Sequence, residues 1–176
     1  MSMTISADMS GLNAMLDELQ GDVEEAARPA AQAAAQVLYD TVKANVGRLG
    51  KKTGNLDRAI YQAYSENNSV PGKATYHVSW NAKKAPHGHL IEFGHLQRYQ
   101  YYKGNDGQIR PMVRPGMEGE PKPRRRASQV EKDAYYVTLP TPIQVPAKAF
   151  VRGAASRFPQ AMAAAEAELL KRINKQ

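Results

Sequence analysis

The chain has no cysteine, so disulfides, zinc–thiolate sites and thiol catalysis are excluded. Aromatic residues are scarce: one Trp, three Phe and nine Tyr among 176 residues. Alanine supplies much of the 42% apolar content, which supports a modest core rather than a large one. No stretch approaches a membrane span, and the N-terminus lacks the basic-then-apolar order of a signal peptide. No membrane partner is expected, and synthesis in the cytoplasm is. Catalytic signatures are also missing. There is no Gly-x-Ser-x-Gly, the body lacks paired carboxylates, and the loop at 47–54 has no Lys-Ser or Lys-Thr at the offset of a P-loop. The expectation is a protein that is not an enzyme and needs no cofactor.

Charge is present in quantity and is unevenly placed. Residues 1–40 carry seven acids against Arg28 alone, a net −6. Residues 41–130 carry sixteen bases and six acids, a net +10, and residues 131–176 add +3. An acidic arm and a basic body can attract each other between copies, or each can serve an unrelated partner.

The apolar pattern gives the architecture. Leu12, Leu16, Leu19, Val23, Ala26, Ala30, Ala33 and Val37 alternate at spacings of four and three, one stripe of a helix over 10–46. Ser10 is its candidate N-cap, and Pro29 should kink it or start a second helix. Such an arm packs either on its own domain or on a neighbouring subunit. After the Gly-rich loop, Leu56–Tyr64 reads as a strand, 67–72 as a turn, and Ala74–Asn81 as a second strand with Tyr76, Val78 and Trp80 on one face. Leu90–Phe93 reads as a short apolar element stopped by Gly94. Residues 98–131 lose periodicity and gain Gly, Pro, Arg and Lys, the marks of an extended basic loop. Ala134–Leu139 has strand composition, and Pro140, Pro142 and Pro146 enforce extension. A last helix runs over 156–173, with Pro159 in its first turn, Phe158, Met162, Ala165, Leu169 and Ile173 on one stripe, and Lys171, Arg172 and Lys175 suiting its C-terminal dipole. The fold class is α+β: a long N-terminal helix and a small antiparallel sheet packed by a C-terminal helix. We read one domain over 1–176, with an arm at 1–46, a core at 47–97 and 132–176, and the long loop at 98–131.

Two constellations could carry chemistry. His87, His89, Glu92 and His95 offer three imidazoles and a carboxylate, but not in His-Glu-x-x-His spacing. The plainer reading is a buried Glu92 receiving hydrogen bonds from backbone or an Arg, with surface histidines around it. Arg48, Lys51, Lys52, Lys83, Lys84 and the run Arg124-Arg125-Arg126 can neutralise phosphates, with Tyr99, Tyr101 and Tyr102 for stacking. No recognition-helix or RNA-binding signature accompanies them. The plainer reading there is a solvated basic face.

Three short motifs, in order, say more. They are Thr53-Gly54-Asn55-Leu56 with Ile60, then Ile91-Glu92-Phe93-Gly94, then Pro146, Phe150, Arg152 and Ala154. Together they resemble the tail-completion, or head–tail joining, family of long-tailed bacteriophages over about residues 45–173. His89, His95 and Gly153 depart from the family's usual residues, and the loop at 98–131 is longer. The resemblance implies a virion neck protein that forms a ring of like copies, usually six, between the head connector and the tail tube or terminator, with genome DNA passing through. The tail-terminator and connector roles, and a basic DNA-binding module, are the rival readings. In the neck role Glu92 would serve a buried network with Arg152, Phe93 and Phe150 would anchor the core, and Gly54 and Gly94 would allow tight turns. The loop at 98–131 would order on docking.

Overall fold

A computed structural model describes residues 10–50 and 53–174, without the side chains of 10–17 and 19. The Ser10 cap, the stripe positions Leu12, Leu16 and Leu19, and Lys175 lie outside what is described. The described chain forms two compact units, one from the segments up to Glu92 and from Ala149 on, the other Phe93–Lys148.

The first unit is built on α1 (Ser10–Arg48). Its alanine-rich second half has high helix propensity and small side chains, so other elements can approach its backbone. Ala26, Ala30, Ala35, Val42 and Val46 are buried along it. Pro29 lies inside this helix and does not start a new one. An internal proline costs about 3 kcal/mol in an isolated helix; here the neighbouring Ala26 and Ala30 are buried, and packing offsets that cost.

The expected strand at Leu56–Tyr64 is corrected. Asn55–Ala59 form a short helix, α2, and the strand β1 is Ile60–Tyr64. The reason is local. Gly54 takes φ 72°, and the Arg58 guanidinium reaches back to the Thr53 carbonyl (3.1 Å) and to Asn55 Oδ1 (2.8 Å). Leu56, Ala59 and Ile60 are buried at spacings of three and one, a helical rather than an alternating pattern. β1 pairs antiparallel with β2 (Tyr76–Trp80) in register Ile60↔Trp80 to Tyr64↔Tyr76, the expected hairpin. A helical turn, α3 (Gly88–Phe93), follows. The C-terminal segment adds a 3-10 turn at Arg152–Arg157 and then α5 (Phe158–Ile173), with Pro159 in its first turn as expected. The helix of the first unit nearest the chain end packs along α1, and α1 also packs on β1 and β2. The core joins Val42, Val46, Leu56, Ile60, Ala85 and Phe150.

The second unit holds β3 (His95–Tyr99), β4 (Tyr101–Lys103), β5 (Ile109–Pro111), α4 (Gln129–Tyr135) and β6 (Thr138–Val145). β3 pairs with β6 and β4 with β5, both antiparallel. Residues 98–131, expected as an extended loop, therefore contain the β4–β5 hairpin and the start of α4. The expected strand at Ala134–Leu139 is corrected too: α4 runs to Tyr135, and β6 starts at Thr138. Ser128 and Glu131 form a reciprocal capping box that starts α4. Pro140 and Pro142 lie in β6, where the register against β3 is interrupted between Gln97 and Tyr99; neither proline has an N–H for a ladder. Tyr136 is the buried centre of this unit, with Tyr99 and Tyr135 rings at 5.3 and 4.9 Å.

Candidate functional site

The second and third sequence motifs meet at a buried carboxylate. Glu92, at the end of α3, is 1% exposed. A carboxylate taken from water must be fully hydrogen-bonded to be tolerated. Glu92 meets that demand with three donors. Its Oε2 accepts from the Val151 backbone N–H (2.9 Å), and its Oε1 from the Arg152 N–H and the Arg152 Nε–H (both 3.0 Å). Arg152 Nη2 also donates to the Glu92 carbonyl at 2.7 Å. One arginine thus clasps both the side chain and the main chain of one glutamate. The plainer reading of Glu92 is the observed one.

Phe150 is held beside this clasp. Its ring is 1% exposed and meets Trp80 edge-on at 5.4 Å, while its carbonyl accepts from Asn45 Nδ2 at 3.0 Å. The preceding Ala149 adopts φ 45°, a left-handed conformation uncommon for a side-chain-bearing residue. Its N–H donates to the Glu92 carbonyl at 3.3 Å and its carbonyl accepts from Gly153 N–H at 2.7 Å, which hold it there.

The other sequence candidates divide. Leu56 joins Phe150 in the core, and Gly54 makes the left-handed turn that the sequence suggested. Thr53 caps that turn through its hydroxyl and carbonyl. Gly94 has φ 73°, and a Cβ there would stand 2.6 Å from the Val145 carbonyl oxygen and 2.8 Å from the Ala147 nitrogen. Pro146 is exposed. Phe93 is corrected as a core anchor: it is 61% exposed, because the final turn of α3 sends Glu92 inward and its neighbour outward. Arg48 and Arg124–Arg126 are exposed, in different units, and Lys51 and Lys52 lie outside the described residues. Tyr101 and Tyr102 are exposed on β4, but Tyr99 is engaged: its hydroxyl donates to Asp133 Oδ1 at 2.9 Å and accepts from Gln129 at 2.7 Å. Burial, and then the Asp133 hydrogen bond, push the Tyr99 hydroxyl pKa up. The hydrogen bonds from Gln129 and then Tyr99 pull Asp133 down.

Among the described residues no three His, Asp or Glu gather where they could hold a metal ion. His87 and His89 are exposed, and the oxygens of Glu92 face the Val151 and Arg152 donors.

The sequence reading missed a groove. It runs in the first unit along α1 from Val23 to Val42, with Tyr76 and Val78 on one wall and Phe158, Met162 and Leu169 of α5 on the other. Its volume is about 730 Å³ and its lining is mainly apolar. The α5 stripe of the sequence is the signal that could have found it: Phe158 and Met162 are 54% and 65% exposed instead of covered.

No helix among the described residues is long and apolar enough to cross a membrane. Residues 10–94, from the start of α1 through Gly94, match the family model described as "Bacteriophage HK97-gp10, putative tail-component". That match spans two of the three sequence motifs and fits the tail-completion or neck family of long-tailed phages. No curated protein and no solved structure matches the chain.

Proposed function

From the match of residues 10–94 to a bacteriophage tail-component family, we propose that this chain is a structural virion protein of the phage neck. Copies form a ring, six in number, that joins the head connector to the tail tube or its terminator and leaves a passage for genome DNA. The protein is made in the host cytoplasm and ends in the virion. It performs no catalysis. The single observation that carries this reading is the family match, which includes the Thr53–Leu56 turn and the Ile91–Gly94 segment.

The geometry supports the reading in three ways. The Glu92–Arg152 clasp fixes the C-terminal segment on α3 and is spent on structure, with both oxygens bonded inside the protein. The charge division between residues 1–40 and the rest gives one chain two unlike surfaces, which ring closure requires. Exposed bases such as Arg48 and Arg124–Arg126 suit a wall beside phosphates.

The test is a cryo-EM reconstruction of intact particles, paired with particles made without this chain. A ring of density at the head–tail joint that disappears in the second sample is the expected result. Unchanged neck density, with heads and tails still joined, would overturn the proposal. A free protein that binds duplex DNA tightly and with a steep salt dependence would instead favour the DNA-binding module.

A further inference from the structure

The apolar groove and the N-terminal part of α1 fit each other, but one copy cannot bring them together. The groove begins at Val23 and follows α1 to Val42, about 29 Å at the helical rise. Residues 10–22 precede it on the same helix. A continuous helix cannot turn back on itself, so this segment cannot enter its own groove.

The segment has the pattern of a helix that lies in a groove. In sequence, Leu12, Met15, Leu16 and Leu19 fall at i, i+3, i+4 and i+7, the spacing of apolar anchors on one face. Its 13 residues span about 20 Å, within the groove's length. It carries Asp17, Glu18 and Asp22 and no base. The receiving side offers Phe158 and Met162, both more than half exposed, and Lys73 on the lining, with Arg157 exposed at the head of α5. Apolar anchors meet an apolar floor, and the acids Asp17 and Glu18 meet the bases Lys73 and Arg157.

We propose that residues 10–22 of one copy dock in the groove between α1, α5 and the β1–β2 hairpin of the next. This rests on the neck-ring reading and supplies its subunit contact. The contact is heterologous: each copy gives its helix end to one neighbour and its groove to another, the arrangement that builds a closed ring or a filament. Burial of the leucines stabilises the contact, and the charges set its direction.

The absence of cysteine makes the test direct. Protein carrying Leu16→Cys is mixed with protein carrying Met162→Cys and oxidised, and the Leu16→Cys protein is mixed in parallel with Ala167→Cys, an exposed position on the opposite side of α5. Fluorescence of Trp80 checks that each variant is folded. The expected result is a heterodimer between positions 16 and 162 in roughly tenfold excess over the 16–167 pair, because docking raises the local thiol concentration towards millimolar. Equal yields at 162 and 167, or 16–16 dimers alone, would overturn the docking. Particles carrying both Leu16→Cys and Met162→Cys separate this idea from the one beneath it. Covalent multimers at the neck support both. Protein present at the neck without such multimers removes the groove contact and leaves the neck role standing. Cross-linking in solution by a protein absent from particles does the reverse.

Discussion

Glu92 and Arg152 stand sixty residues apart in the chain, yet Arg152 Nε lies 3.0 Å from Glu92 Oε1 and Nη2 lies 2.7 Å from the Glu92 carbonyl. The two ends of this pair are not equivalent. Glu92 is buried, while the Arg152 side chain is 56% exposed and keeps much of its hydration. Removing the acid strands the backbone N–H donors of Val151 and Arg152 beside Phe150, whereas removing the guanidinium leaves both of them on the carboxylate.

The first prediction follows from that asymmetry. Glu92→Ala should destabilise the protein by about 3–5 kcal/mol, the range for breaking a buried charged network. Arg152→Ala should cost only about 1–2 kcal/mol, since the pair is partly solvated. Urea denaturation followed through Trp80 measures both. Equal losses would mean that the backbone donors contribute nothing.

Two glycines with nearly the same φ should behave differently. At Gly94 an added Cβ meets backbone atoms at 2.6 and 2.8 Å, which cannot swing away. At Gly54 the nearest atom is Arg58 Nη1 at 3.6 Å, the end of a flexible chain. Both Ala substitutions incur the left-handed strain of about 1–2 kcal/mol, and Gly94→Ala adds a clash of about 1–3 kcal/mol. Gly54→Ala should therefore melt a few degrees below the parent protein, while Gly94→Ala loses several degrees more in a thermal scan.

Gly88 makes a similar point by contact rather than conformation. A Cβ there would lie 2.3 Å from Trp80 Nε1, and the indole is packed on Phe150. Gly88→Ala must displace the ring, at about 1–3 kcal/mol for overpacking. The chain has one tryptophan, so a shifted emission maximum in the folded state would report that displacement directly. An unchanged spectrum with unchanged stability would count against the close approach.

The Asp133–Tyr99 pair sets a pH window for the second unit. Asp133 is held below its ordinary 3.8 by the Gln129 and Tyr99 hydrogen bonds. Its contribution is present above pH 3.8 and is lost as pH falls through the lower folded value. Tyr99 is held above 10.0, chiefly by burial, so its contribution is present below pH 10.0 and is lost as pH rises through the higher folded value. Protection of the amides in α4 and β3, corrected for the intrinsic pH dependence of exchange, should be greatest between those limits and should fall at both ends. In Asp133→Asn the acid-side fall should shrink.

Much of the molecule was legible because it rests on local rules. The helix at 10–48, the hairpin of β1 and β2, and the last helix follow from apolar spacing and turn chemistry. The short helix at Asn55–Ala59 was readable too, since Leu56, Ala59 and Ile60 keep helical spacing, but the neighbouring β1 composition masked it. The start of α4 also carried its sign, Ser128 followed three residues later by Glu131. Phe93 and Phe150 were not separable by such rules. Both are aromatic residues within motifs, and nothing local says which faces inward.

By itself the sequence determined the absence of thiol chemistry, the division of charge, the long helix and the Glu92 carboxylate that needed partners, because composition and near-neighbour spacing act before any fold exists. Only the tertiary structure decided that those partners are Val151 and Arg152, that Phe150 is buried while Phe93 is not, and that the stripe of α5 is left open beside α1. Each of these depends on which distant segments meet, and that is settled by packing over the whole chain.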